Sequence, residues 1–237
     1  MAQSFFDMLR AIFLGGNAPE ESGEESLLHV GWQQREESFY PALFGMAAGS
    51  PALLKEDIFK KDFGRRDVHP FWLHHGVITF PPAAQRPTWL YATSGLSNAF
   101  DSEIEEWSGL GVEYIMETPA HADWAADKLA RLMVFNLLIT AGHYQDQSDL
   151  TVGSIVRLGV PVNGDESCTL TNIIALKPTT FTQEFQLVTG KVEFLQMLAI
   201  SDSEADFAEN EGHDALAEKL KTAGHGAIID LERDPVV

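Results

Sequence analysis

Thr88–Phe100 reads TWLYATSGLSNAF, and Gly109–Glu117 reads GLGVEYIME. In each, a run of β-branched and aromatic residues (Thr88–Ser94, then Gly111–Thr118) is set off by glycine, serine and asparagine, the pattern of a strand bounded by turns. GVITF at Gly76–Phe80 has the same character. Together the three segments predict consecutive strands of a mainly antiparallel sheet.

Beyond them the period changes. Pro119 stands at a favoured first helical position after Thr118 as a candidate cap, and Gly142 supplies a stop. Trp124, Leu129, Leu132, Met133, Phe135, Leu138 and Ile139 fall between them, so a helix of about 20 residues with one broad apolar face is expected to lie across the sheet. Four further strands follow: Ser154–Gly159, Leu170–Lys177, Phe185–Val188 and Lys191–Ile200. His213–Gly224 reads as a second helix ending on glycine, and Ala227–Leu231 as a last strand. Grouped strands and helices without regular alternation point to an α+β fold.

Upstream, Leu27–Phe63 carries apolar clusters around Trp32, Phe39–Phe44 and Leu53–Phe59, which predicts two or three short helices. Phe5, Phe6, Leu9, Ile12 and Phe13 recur at helical spacing before Gly15 and Gly16, an amphipathic helix followed by the acidic stretch NAPEESGEES. The expected division is an N-terminal helix and linker over residues 1–26 and a single domain over 27–237. Asp7 and Arg10 interrupt the apolar run, which is too short for a signal core. No other stretch approaches the roughly 20 apolar residues of a membrane helix, so a cytoplasmic protein is expected.

Composition narrows the chemistry. With 45% hydrophobic and 22% charged residues in 237 positions, the chain can bury a substantial core. Its 16 Lys and Arg against 35 Asp and Glu leave a formal charge of -19. Such a field repels phosphate backbones and anionic lipid, and suits either a solvated surface or the docking of a basic partner. Cys168 is the sole cysteine, so no intrachain disulfide forms.

No segment carries a recognisable catalytic constellation. His74 and His75, read at the start of a strand, would point to opposite faces and could not share a metal, so turn or surface histidines are expected. Asp101, Glu103, Glu105 and Glu106 read as a solvated loop, and SGLS at 94–97 lacks the second glycine of a nucleophile elbow. GLG at 109–111 lacks the third glycine of a dinucleotide fingerprint. His121, Asp123 and Asp127 sit at a helix start, where acids favour the dipole. A competing enzyme reading, hydrolase or metal-dependent, would use His74, His75 or His143 with the carboxylates at 103–106. No cofactor or metal is expected.

TWLYATSGLSNAF resembles the aromatic strand and G-L-S turn of the Suppressor of fused family, and SGLGVEYIME its next strand. The helix with Trp124 followed by Gly142-His143, the stretch KVEFLQMLAISDSE at 191–204 with its acidic turn, and His225–Arg233 resemble further pieces in the same order, over roughly Asp67–Asp234. PALFG at 41–45 and WLHHGVITFPP at 72–82 resemble bacterial stand-alone members. The resemblance implies a non-enzymatic α+β domain that binds another protein or peptide.

Animal members pair this domain with a C-terminal one to grip an extended peptide of Gli-type transcription factors. The family's acid after G-L-S, which contacts that peptide, falls on Asn98, and its acid in G-x-G-x-E falls on Glu113. With one acid missing and the chain stopping at Val237, Gli binding is not expected. The resemblance implies candidate partner-binding residues Tyr91, Asn98, Glu113 and Tyr114 near a sheet edge, with core packing an equal alternative for the two tyrosines. For bacterial relatives it implies an immunity protein neutralising a toxin, for which an acidic chain suits a basic toxin domain.

Overall fold

The computed structural model describes residues 26–99 and 104–237. The helix expected at Phe5–Phe13 and most of the acidic stretch after it lie outside them, as do Asp101 and Glu103. The described chain is an α+β fold built on an eight-stranded mixed sheet of order β1-β2-β3-β4-β8-β6-β5, with β7 paired to β8. The strands are β1 (Ala52–Leu53), β2 (Gly76–Phe80), β3 (Trp89–Ser94), β4 (Trp107–Thr118), β5 (Ile155–Arg157), β6 (Asn172–Leu176), β7 (Glu184–Leu187) and β8 (Gly190–Ile200). All neighbours are antiparallel except β4 and β8, which run parallel at the centre.

Strand alternation divides the core in two. Val77, Tyr91, Tyr114 and Met116 point to one side, into the larger cluster with Leu129, Met133 and Leu137. Those last three belong to α4 (Asp123–Thr140), which packs on β2, β3 and β4. Ile78, Phe80, Leu90, Ala92, Ile115, Val192 and Phe194 point to the other side and meet Tyr40 and Phe44. These two come from the N-terminal helices: α1 (Leu27–Gln33), a π-helical turn (Gln34–Phe39) and α2 (Tyr40–Phe44). The central strands are therefore apolar on both faces, which explains their near-continuous hydrophobic reading. Helix α3 (Glu56–Lys61) and a 3₁₀ turn (Pro70–His74) lead into β2.

Several boundaries differ from the sequence expectation, each for a local reason. Strand β4 starts at Trp107, before the glycines that read as its boundary. Gly109 (φ +57°) and Gly111 (φ +71°) adopt left-handed conformations inside it, and the register against β8 shifts between Trp107 and Val112. Helix α4 begins at Asp123, because Thr118 remains in β4 with its hydroxyl donating to Ala120 O (2.6 Å). Its N-cap, Ala122, makes no side-chain cap; the Ala122 N–H donates to the Tyr91 hydroxyl (2.7 Å). Gly142 (φ +77°) ends it.

Ala227–Leu231 is not a strand. It crosses where β4 and β8 diverge, the Ile229 N–H donating to Glu117 O (2.9 Å) and the Gln196 amide to Ala227 O (2.6 Å). The acidic turn expected after β8 is instead helix α5 (Asp202–Glu211), opened by a capping box in which Ser201 and Glu204 satisfy each other's backbone N–H. Helix α6 (His213–Thr222) follows.

Gly109 tests the bulge. A Cβ there would lie 2.4 Å from Asn98 O and 2.7 Å from Leu96 O, both backbone atoms. Gly109→Ala is expected to destabilise the protein by about 1–3 kcal/mol through left-handed strain alone, with the collision adding to it. Urea unfolding measures the loss.

Candidate functional site

The turn after β3 is built around one carboxylate. Pairing of β3 with β4 ends at Ala92↔Ile115. Past that point the Thr93 hydroxyl takes over from the ladder, accepting from Tyr114 N (2.8 Å) and donating to Glu113 Oε2 (2.6 Å). Glu113 Oε1 accepts from Gly95 N (2.9 Å), Ser97 N (3.0 Å) and the Ser97 hydroxyl (2.6 Å). A fully buried carboxylate thus holds the Gly95–Asn98 turn by three hydrogen bonds and Thr93 by a fourth.

Its counter-charge comes from the π-helical turn. Arg35, 1% exposed, places Nη1 3.7 Å from Glu113 Oε1. Its guanidinium donates to Ser94 Oγ (3.0 Å), Ser97 Oγ (2.9 Å) and Asn98 Oδ1 (2.9 Å). Asn98 Oδ1 also accepts from Trp32 Nε1 (2.6 Å). Glu36 binds the Ser94 hydroxyl, and the Tyr40 hydroxyl donates to Thr93 O (2.6 Å). Burial, then the negative charge of Glu113, holds the Tyr40 phenol well above its ordinary pKa, so it acts only as a neutral donor.

The four residues singled out from the sequence fall into two places. Asn98 and Glu113 meet at Arg35, under the N-terminal helices. Tyr91 and Tyr114 point to the α4 side of the sheet. All four are buried, their relative exposures running from 0% to 4%. Sequence reading missed Arg35 and Trp32; the one local signal was an arginine in a segment otherwise read as short helices with apolar clusters.

Tyr114 is a special case. Its hydroxyl is buried without a hydrogen-bond partner among the described residues, and burial, followed by the charges of Glu113 and Asp149, raises its pKa. Tyr114→Phe removes an unsatisfied group with little change of shape. It is expected to leave stability unchanged or raise it by up to about 1 kcal/mol. A clear fall in the thermal midpoint would reveal a partner for that hydroxyl.

The histidines depart from expectation. His74 ends the 3₁₀ turn and is not in a strand. His75 is fully buried, its Nδ1 3.1 Å from Phe71 O. Its ring lies so close to Gly95 that a Cβ there would be 2.5 Å away. Burial lowers its pKa to about 3, partly offset by that carbonyl, which leaves a neutral ring and a very weak base. Glu105 and Glu106 are exposed, as is His143 beyond α4. Among the described residues no group of three or more His, Cys, Asp or Glu is placed to hold a metal, and no helix is long and apolar enough to cross a membrane.

Beside the turn lies an apolar shelf. Ile104 (68% exposed) and Trp107 (38%) face solvent, with the Lys191 ammonium 6.0 Å from the indole centroid. The next residue, Ser108, donates its hydroxyl to Ser97 O (2.7 Å), tying the shelf to the Glu113 turn.

Residues 72–234 match the family described as Suppressor of fused protein (SUFU). No curated protein matches the chain in sequence. Among the solved structures that share its fold are three. A SUFU homologue from Neisseria gonorrhoeae FA 1090 is 19% identical, with a TM-score of 0.57 over 89% of this chain and 95% of its own. Drosophila Suppressor of Fused is 16% identical, with a TM-score of 0.54 over 68% of this chain. The chain spans 42% of that protein's length. A Sufu–Fu complex contains a chain 15% identical, with a TM-score of 0.53 over 79% of this chain and 93% of that one.

Proposed function

Because the chain belongs to the Suppressor of fused family, we propose that it is a non-enzymatic protein-binding module, formed as one domain by residues 27–237. The observation that carries this reading is the match over 72–234 together with a structural neighbour that is part of a Sufu–Fu complex. The enzyme alternative lacks support, since His75 is buried and neutral while Glu105, Glu106 and His143 remain on the surface.

A partner meets this domain at the rim of the Glu113 turn. Ile104 and Trp107 give it an exposed aromatic and aliphatic anchor of the kind that dominates protein interfaces. Asn98 and Glu113 fix the loop behind that anchor, and Tyr91 and Tyr114 support the strands from the far side. The net charge of -19 favours a basic protein, whose association the field would speed. A basic toxin neutralised by this chain is the specific form of the proposal, and a cytoplasmic location goes with it.

The test is capture of basic protein domains encoded nearby by the tagged full chain, with growth protection on co-expression. Trp107→Ala with Ile104→Ser is expected to weaken capture at least tenfold under conditions where the unfolding curve shows the variant still folded. If the double variant binds and protects as well as the parent, the shelf is not the interface. If no basic partner binds at all, the toxin form of the proposal fails.

A further inference from the structure

A cleft opens at the end of β3 opposite the Glu113 turn, where Trp89 pairs with Thr118. Strand β4 finishes at Thr118 and α4 begins at Asp123, so residues 119–122 cross the sheet end as a loop. The Ile229 N–H, bonded to Glu117 O (2.9 Å), brings the C-terminal crossing segment alongside that loop. Between the two lies a cavity of about 300 Å³ whose lining includes Pro119, His121, Trp124, Asp230, Leu231 and Glu232.

Hydrogen bonds fix both walls. The Tyr91 hydroxyl accepts from Ala122 N (2.7 Å) and the Thr118 hydroxyl donates to Ala120 O (2.6 Å), while Asp230 Oδ1 accepts from Glu232 N (3.1 Å). His121 meets Trp89 in a T-shaped contact, ring centroids 4.6 Å apart and planes at 83°. A cleft already shaped in this way asks little ordering of the chain on binding.

Its chemistry is one-sided. Asp230 and Glu232 supply two carboxylates, and Asp123 places a third 3.8 Å from His121 Nδ1. No Lys or Arg is among the described residues that line it. Arg233, next in the sequence, is turned inward and held by Glu204. Pro119, Trp124 and Leu231 add apolar and aromatic surface. Carboxylates beside an indole and an apolar wall suit arginine, whose stem buries on apolar surface, whose planar head stacks on aromatic rings and whose forked donors match carboxylates.

We propose that this cleft receives an arginine side chain of the partner polypeptide. The inference rests on the protein-binding reading and adds to it a contact separate from the Ile104–Trp107 shelf. The charge of -19 favours a basic partner, and such a partner presents arginines to the acidic cleft. Lysine fits less well, because its compact ammonium is a point charge without the planar fork.

The test is a nuclear magnetic resonance titration of the full, nitrogen-labelled chain with a blocked Gly-Arg-Gly peptide, the Trp124 indole N–H resonance being identified from Trp124→Phe. That resonance is expected to move to saturation. The citrulline counterpart, which keeps the stem and the planar head without the charge, is expected to bind at least about tenfold more weakly. Asp230→Asn with Glu232→Gln is expected to cause a similar loss, the amide oxygen at position 230 still accepting from the backbone N–H of residue 232. Equal binding of the two peptides to the parent chain overturns the proposal, whatever the stability of the double variant. So does an unaltered titration in that variant, or a shift at Trp124 that never saturates. Ile104→Ser with Trp107→Ala is expected to leave the titration unchanged, so failure of the shelf or of the toxin reading in capture experiments is read separately. A titration lost with the shelf would place the arginine there and overturn its assignment to the cleft.

Discussion

Arg35→Met is expected to be among the most damaging single changes outside the apolar core. It leaves Glu113 fully buried with its cation gone, and strips donors from Ser94, Ser97 and Asn98. Removing one partner of a buried pair costs about 3–5 kcal/mol. At about 2–4 °C per kcal/mol for a protein of this size, the thermal midpoint should fall by roughly 6–20 °C. Glu113→Gln in the same background should recover part of the loss. The neutral amide no longer requires a cation, and its oxygen can still accept from the Gly95 and Ser97 N–H groups. A double-mutant cycle is expected to show coupling above about 1 kcal/mol. Additive losses would mean that Arg35 acts through packing alone.

Arg233→Met is the second large effect, and its pH dependence separates charge from shape. Arg233 grips Glu204 in two bonds, Nη1 to Oε1 (2.6 Å) and Nη2 to Oε2 (2.7 Å), and donates to Ala199 O (3.1 Å). Val236 N adds a further donor to Glu204 at 3.0 Å. Burial alone would raise the Glu204 pKa, but the arginine and the backbone N–H groups outweigh it and hold the carboxyl below its ordinary value.

A depressed folded-state pKa contributes stability that is fully present above the unfolded value, about 4.3, and lost as pH falls through the folded one. The substitution is therefore expected to cost about 3–5 kcal/mol near pH 7. Toward pH 4 the difference should shrink, because acid weakens the parent's pair while protonation relieves the variant's isolated carboxyl. A loss constant from pH 7 to pH 4 would show that the pair contributes little as a pair.

The two ion pairs were unequally legible. Ser201-x-x-Glu204 is a capping-box spacing, and it was available as the sign of α5. The apolar run of β8 through Ile200 reads as a strand, and the acidic turn after it is what the family resemblance implies. Arg35 offered no comparable sign. It lies in QQREES, within a segment read as short helices, and its burial depends on a carboxylate that the sheet delivers from β4.

His75 shows the same limit. Its neighbourhood reads as surface, yet the left-handed turn at Gly95 (φ +141°) leaves the space its ring occupies. Asn98 and Glu113 were marked by family resemblance, and the structure joins them through Arg35. Tyr91 and Tyr114 were marked alongside them, but strand alternation sends both to the other face.

By itself the sequence determined where β2 and β3 run, where α4 and α6 stop, and that strands and helices are grouped. Those features rest on β-branched runs, apolar periodicity and glycines, whose preferences act within a few residues. Only the tertiary structure decided that β4 lies parallel to β8, that Ala227–Leu231 crosses their divergence without joining the ladder, and that a lone arginine is internal. Each depends on contacts between segments far apart in the chain. There, burial and charge neutralisation override what any short stretch prefers.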